Sequence, residues 1–329
     1  MIIYVDDGVI FGDYSSICAE RNLIFTKFNG RTEDPVLHGQ WLRKSFLGVT
    51  IWYNKCTRSL KIEQTAYAQK LVKKFGSSGK FYRSTSPVVG HIYNRGALVS
   101  KEMFDYQSCI GSLMYLAAQT RPDIMYAVGQ LGRYMSQPRS SAVDAALRVI
   151  EYIKNTIDRG LEFNNINKFR DIAGDATVVG FCDSDFGMCK ETRKSVSGNV
   201  IFYRGTPVWW KSSIQKIIAT SSAEAEYISL YSLTKQLSEI GNVATHILGS
   251  PQSTVPIIFC DNGSAISIAQ SAGATKGMKH IDIKYHYVRK ELKDGKINIK
   301  WIPTKNQLAD GLTKPVSKDI LRKLVSGDI

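Results

Sequence analysis

The chain has 329 residues, which exceeds the usual single domain of about 100–200 residues. With 43% hydrophobic and 22% charged residues its composition is globular and excludes long disorder, and 43 basic residues against 29 acidic ones give a formal net charge of +14 that favours a polyanionic partner. Six dispersed cysteines without a Cys-x-x-Cys pair exclude a zinc ribbon and a disulfide framework; without a basic leader or an apolar run near about 18 residues, the expected location is intracellular, neither secreted nor membrane-embedded.

Residues 2–5 and 9–11 are β-prone runs flanking Asp6-Asp7-Gly8, and Asp-Gly between such runs predicts a hairpin with both acids at its tip. The run 46–53 reads as one strand and 60–62 as another. A helix follows over 65–75, with Ala68, Leu71, Val72 and Phe75 on one stripe and Lys70, Lys73 and Lys74 on its other faces. Gly76 and Gly79 end it, and 84–100 reads as a looser boundary segment. Helices are expected over 106–118, 124–135 and 142–156; Arg121-Pro122-Asp123 starts the second, with Thr120 as cap and Pro122 in first position.

From about residue 175 the pattern changes to β runs at 178–182, 198–203, 206–210 and 216–219, read as the three-strand meander expected before a helix. A helix over 223–240 behind the cap Thr220-Ser221-Ser222 comes next. It is followed by a strand at 257–260, helices at 262–270 and 281–292, a strand at 297–302 and a last helical pair. A meander followed by alternating β and α predicts a mixed α/β sheet with helices on its faces.

Four carboxylates stand where apolar runs end or helices begin: Asp183, Glu226, Asp261 and Asp310. Gathered acids repel unless cations compensate them, and a divalent metal pair about 4 Å apart is a standard device for in-line cleavage of a phosphodiester. Glu224 and Glu226 are separated by about 200° around a helix axis, so only one faces such a site. Glu226 shares a stripe with Leu230, Leu233 and Leu237, whereas Glu224 suits compensation of the helix dipole. Pro303 ends a strand, and a short helix over 307–312 carries Asp310 back; Asp282, Asp294 and Asp319 lie in basic stretches and read as surface charges.

Seven segments occur in one order: Gly180-Phe181-Cys182-Asp183-Ser184-Asp185-Phe186, Thr192-Arg193-Lys194-Ser195-Val196-Ser197-Gly198, Trp210-Lys211-Ser212-Ser213-Ile214-Gln215-Lys216, Ser221-Ser222-Ala223-Glu224-Ala225-Glu226-Tyr227, Cys260-Asp261-Asn262, Lys279-His280-Ile281-Asp282 and Leu308-Ala309-Asp310-Gly311-Leu312-Thr313-Lys314-Pro315. Together they resemble the RNase H domain of a copia-type LTR retrotransposon Pol polyprotein. The front of the chain resembles the end of the same polyprotein's reverse transcriptase, through Tyr4-Val5-Asp6-Asp7, Phe46-Leu47-Gly48 and Gln64-Thr65-Ala66-Tyr67.

The resemblance implies three parts: a truncated palm end and thumb over 1–90, a helical connection over 91–172 and an RNase H domain over 173–329. It implies hydrolysis of the RNA strand of RNA/DNA hybrids by two Mg²⁺ ions, with Mn²⁺ as the substitute, held by Asp183, Glu226, Asp261 and Asp310, with Asp185 of undecided role. Arg193, Lys194, Lys211, Lys216, Lys276, Lys279 and His280 are the candidate nucleic-acid contacts, and the rest of the polyprotein is the expected partner. Polymerase activity is not expected, since the third carboxylate and the fingers are not found, which leaves Asp6 and Asp7 as a remnant site. Some relatives shuttle protons through a histidine before the last acid; none stands between Trp301 and Asp310, leaving His280 and His286 as substitutes against a plain helix-surface reading. Trp209 and Trp210 face opposite ways on a strand, so one belongs to the core. The alternatives are an inert transposon relic that binds nucleic acid without cutting, and an aspartyl-phosphate phosphatase built on Asp183-Ser184-Asp185. The phosphatase wants Thr or Val where Gly187 stands.

Overall fold

The structure is a computed structural model that describes residues 2–4, 7–10, 12–76, 86–88, 90, 92, 94–164, 166–189, 192–248, 254–271 and 279–328, with backbone only at 2–9, 244–248 and 279–285. β1 (Ile2–Tyr4) pairs antiparallel with β2 (Asp7–Val9), Tyr4 opposite Asp7. The expected hairpin is therefore present, but Asp7 is already the first residue of β2 rather than part of the turn; Asp6 lies outside the described residues. α1 (Tyr14–Lys27), capped by the Asp13 carboxylate, buries none of its residues.

β3 (Val36–His38), β4 (Trp41–Phe46), β5 (Val49–Asn54) and β6 (Ser59–Glu63) form an antiparallel meander. The run 46–53, expected as one strand, is instead divided between β4 and β5. Leu47 and Gly48 turn the chain there at φ 48° and 77°, the pair of positive φ values a type I′ turn requires. α2 (Thr65–Phe75) spans the expected residues, with Ala68, Leu71 and Phe75 buried and Gly76 at its C-cap.

α3 (Tyr106–Gln119), α4 (Met125–Gly132) and α5 (Ser140–Lys154) share one core with α2, running from Ala68 to Ile153. Pro122 opens a 3-10 turn, Pro122–Ile124, ahead of α4 as expected, but the cap position is Arg121 and not Thr120. Thr120 Oγ1 is committed elsewhere, to Gln64 Oε1 at 3.0 Å. Arg121 and Asp123 form a buried ion pair at 2.9 Å, to which Arg159 adds a 2.8 Å contact and Tyr152 a 2.8 Å hydrogen bond. Burial pushes the Asp123 carboxyl up, but the two guanidiniums outweigh it and hold the group below the usual carboxylate range. β7 (Leu161–Phe163) then joins the first sheet against β6.

After α6 (Arg170–Ala173) come β8 (Val178–Ser184), β9 (Val196–Tyr203), β10 (Thr206–Ile214), α7 (Ser222–Leu248), β11 (Ile257–Cys260), α8 (Gly263–Gln270), α9 (Lys279–Lys293), β12 (Asn298–Trp301), 3-10 turns at Thr304–Asn306 and Leu308–Leu312, and α10 (Lys318–Ser326). The sheet order is β10-β9-β8-β11-β12, antiparallel through the first three strands and parallel from β8 to β12. This is the mixed sheet the sequence predicts, with one correction. The meander has the three strands expected, but 206–214 is one longer strand and the run 216–219, read as β, is irregular with Ile217 and Ile218 exposed. Side-chain alternation separates two cores: Phe181, Phe202, Phe259, Trp210 and Leu324 on one face, and Leu230, Leu233, Ile258, Ile266 and Val288 under α7, α8 and α9 on the other. No helix among the described residues is long and apolar enough to cross a membrane.

Asp123→Ala leaves the Arg121 guanidinium buried without its counter-charge, so urea denaturation is expected to show a loss of about 3–5 kcal/mol. A loss below about 1 kcal/mol, the scale of an exposed ion pair, would contradict the buried network.

Candidate active site

β8 and β11 run side by side and parallel with Phe181 opposite Phe259, so Asp183 and Asp261, each two residues further on, reach the same edge of the sheet. Glu226 arrives from the first turns of α7. Its helix start is fixed by Ser221 Oγ, which accepts from the Glu224 N–H at 3.1 Å, while the Glu224 carboxylate accepts from Thr220 N and Oγ1 at 2.7 and 2.6 Å. Glu224 is thus spent on capping, and Glu226 alone of the two faces the acids. Ser229, one turn on, donates to the Asp183 carbonyl at 2.8 Å and ties α7 to the end of β8.

Asp310 lies in the 3-10 turn Leu308–Leu312. Gln307 Nε2 donates to the Cys182 carbonyl at 2.9 Å, and Thr313 Oγ1 donates to Asp183 Oδ2, so the turn is pinned at both ends against β8. Gly198, paired with Asp183 in the sheet, makes the approach feasible. A Cβ there would lie 2.8 Å from the Ala309 carbonyl and 2.7 Å from Thr313 Cγ2. All four acids expected from the sequence are brought together, three of them buried and Asp261 half-buried.

The cluster is short of positive charge. Burial, then the charge of Asp183, raises Asp310 to about 7. Glu226 is raised further by burial and by Asp183, Cys260 and Asp261, and its Oε2 is buried without a hydrogen-bond partner. Asp261 is raised by burial and by Asp183 against a 2.8 Å hydrogen bond from Thr304. Asp185 is raised to about 6 by burial; it accepts from the Val196 N–H, which commits one oxygen to closing the β8–β9 ladder.

Lys314, which the sequence reading passed over, is the cation that answers these acids: its Nζ lies 2.9 Å from Asp310 Oδ1 and it feels Asp183 and Asp261. The signal was its place four residues after Asp310, just beyond the short helix expected over 307–312. Of the candidate nucleic-acid contacts, Arg193, Lys211 and Lys216 are exposed and Lys194 half-buried. Lys276 falls outside the described residues, as do the side chains of Lys279 and His280; His286 is exposed on α9. Trp210 is the core member of its pair, donating to the Ala117 carbonyl at 2.8 Å, while Trp209 packs partly buried against the opposite face.

No protein-family model matches the chain. It is 28% identical over 333 residues to the retrovirus-related Pol polyprotein from transposon TNT 1-94 of Nicotiana tabacum, covering 97% of this chain and 23% of that one. It is 32% identical over 222 residues to the retrovirus-related Pol polyprotein from transposon RE1 of Arabidopsis thaliana, covering 68% of this chain and 14% of the relative. The chain thus spans less than a quarter of the length of these curated relatives. A solved LC11-RNase H1 in complex with RNA/DNA hybrid is similar at 16% identity over 41% of this chain and 93% of that one, with a TM-score of 0.33.

Two outcomes are expected. Carboxyls whose folded values are raised bind protons more tightly when folded, so their stabilisation is complete below pH about 4 and is lost as pH climbs through about 6 and 7, the values of Asp185 and Asp310. The metal-free chain should therefore melt at a lower temperature at pH 8 than at pH 5, and an opposite slope in thermal scans would overturn the charge assignment. Gly198→Ala forces the Asp310 turn away from β9 and should cost about 1–3 kcal/mol in chemical denaturation, the usual penalty for overpacking.

Proposed function

Because the chain belongs to the retrovirus-related Pol polyprotein family of retrotransposons, we propose that its C-terminal part, residues 173–329, is a ribonuclease H that hydrolyses the RNA strand of RNA/DNA hybrids. The observation that carries this reading is the convergence of Asp183, Glu226, Asp261 and Asp310, delivered by two parallel strands, a helix and a 3-10 turn to one sheet edge. The family implies divalent ions, Mg²⁺ first and Mn²⁺ as the substitute. The donor set fits them: it consists of hard carboxylate oxygens, with one buried Glu226 oxygen unpartnered and Lys314 as the cation paired with Asp310.

Asp183, Glu226, Asp261 and Asp310 would hold two such ions. When bound, the ions supply an activated water and stabilise the departing 3′ oxygen. The chain's own residues do the rest. Thr304 orients Asp261 and Thr313 orients Asp183, so neither carboxylate is free to turn away from the cluster. Gln307 fixes the turn that presents Asp310, and Lys314 limits the repulsion among the acids.

Exposed Arg193, Lys211 and Lys216, with Lys194, supply phosphate contacts along the hybrid, and Lys279 and His280 are proposed for the same role. An A-like hybrid offers its 2′-hydroxyls across a wide minor groove, so selection for RNA needs no reading of bases. Residues 1–90 and 91–172 are assigned to the end of a reverse transcriptase and its helical connection, with α2 sharing a core with the connection helices; Asp6 and Asp7 are assigned to the polymerase hairpin, and the remainder of a Pol polyprotein is the partner.

Incubated with labelled RNA/DNA hybrid and Mg²⁺, the full chain should cut the RNA strand and leave duplex DNA intact. Asp261→Asn should lower the rate by at least about 100-fold, the upper end of what loss of a mere supporting contact costs a metal site. No cleavage would favour an inert nucleic-acid-binding relic, and cleavage indifferent to Asp261→Asn would sink the assignment of these acids.

A further inference from the structure

A thiol lies against one side of the acid cluster. Cys260 closes β11 immediately before Asp261 and is fully buried. Its Sγ and one carboxylate oxygen each from Glu226 and Asp261 all lie within 4.8 Å of one another. Glu226 is itself more than nine-tenths buried, and its Oε2 has no hydrogen-bond partner, so a ligand atom is held ready where water is scarce. Cys182 on the adjacent strand is also buried, but its Sγ is directed to the Phe259 carbonyl at 3.7 Å and it is not part of the triple.

An oxygen–sulfur–oxygen set differs in hardness from an all-carboxylate one. Mg²⁺ takes oxygen ligands, whereas Zn²⁺ and Cd²⁺ accept thiolate with carboxylate, and three protein ligands leave a fourth position open. We propose that Glu226, Cys260 and Asp261 form a binding site for a thiophilic divalent cation, Zn²⁺ or Cd²⁺, which competes with Mg²⁺ for the two carboxylates. On binding, a metal–sulfur bond replaces the Cys260 S–H bond and the proton leaves to solvent, with no change of oxidation state. The competition rests on the ribonuclease reading above; the binding itself does not.

The test is a Cd²⁺ titration of the full chain in a Cys18→Ser/Cys56→Ser/Cys189→Ser background, followed by the near-ultraviolet sulfur-to-cadmium charge-transfer absorption. The band should saturate at one equivalent, vanish in Cys260→Ser and survive in Cys182→Ala. Glu226→Gln and Asp261→Asn should each weaken Cd²⁺ binding by about tenfold or more, and they carry the test should Cys260→Ser not fold. Excess Mg²⁺ should move the Cd²⁺ midpoint upward. A missing band, or a band that persists in Cys260→Ser or follows Cys182, overturns the cation site, and a midpoint indifferent to Mg²⁺ overturns the competition. A Cys260-dependent band in a chain that does not cut hybrid supports the cation site and sinks the ribonuclease reading alone.

Discussion

Carboxylate repulsion at one end of the second sheet is the constraint around which the C-terminal half is built. Parallel pairing of β8 with β11 places Asp183 and Asp261 at a common edge, and the rest of the local structure holds two more acids against them. That arrangement opposes folding unless protons or cations offset it. Without a metal, the chain uses both: Asp310 and Glu226 are pushed toward their neutral forms by burial and by neighbouring charge, and Lys314 sits among the acids. The supporting bonds from Ser229, Thr304, Gln307 and Thr313 read as the means of holding an unfavourable charge pattern in place, each reaching the end of β8 or an acid directly.

Much of this was legible because the residues concerned obey local rules. The apolar runs of β8 and β11 end in acids, and the stripe of Leu230, Leu233 and Leu237 assigned Glu226 to the sheet-facing side of its helix; all three leucines are buried there. α2 was readable from its 3.6-residue stripe, whereas Asn262, read as the first residue of its helix, is the cap, its side chain accepting from Ala265 N at 3.0 Å. Where two rules competed, the sequence misled. The run 46–53 reads as β-prone, and only the left-handed Leu47-Gly48 pair divides it, a backbone property that composition expresses weakly. Thr120 satisfies a capping rule but is taken by Gln64, fifty-six residues away in sequence, and no local pattern reports such a contact.

Lys314 was missed for a different reason. A lysine in a basic chain carries little information, and its meaning comes from the acids that surround it only once four separate segments have met. Gly198 is the same kind of residue. Its need for a missing side chain is set by the Leu308–Leu312 turn, more than a hundred residues later, and not by its own φ angle.

The two faces of the sheet also divide the work. Trp210 turns one way, donates to the Ala117 carbonyl in α3, and lies in the core with Phe181 and Phe202; Met125 of α4 packs partly buried against that core and against the helical one. Phe169, from ahead of the sheet, stands 5.5 Å from Phe181 and 5.1 Å from Phe202 in ring-centroid distance. The aromatic face therefore joins the helical block to the strands that carry the acids, while the face under α7 carries Glu226 and the cysteines. The inward rings of β8 and β9 thus lie in the core that Met125 of α4 also packs against. The strands that end in the acids therefore pack partly on residues that precede the sheet, Phe169 and Met125 among them.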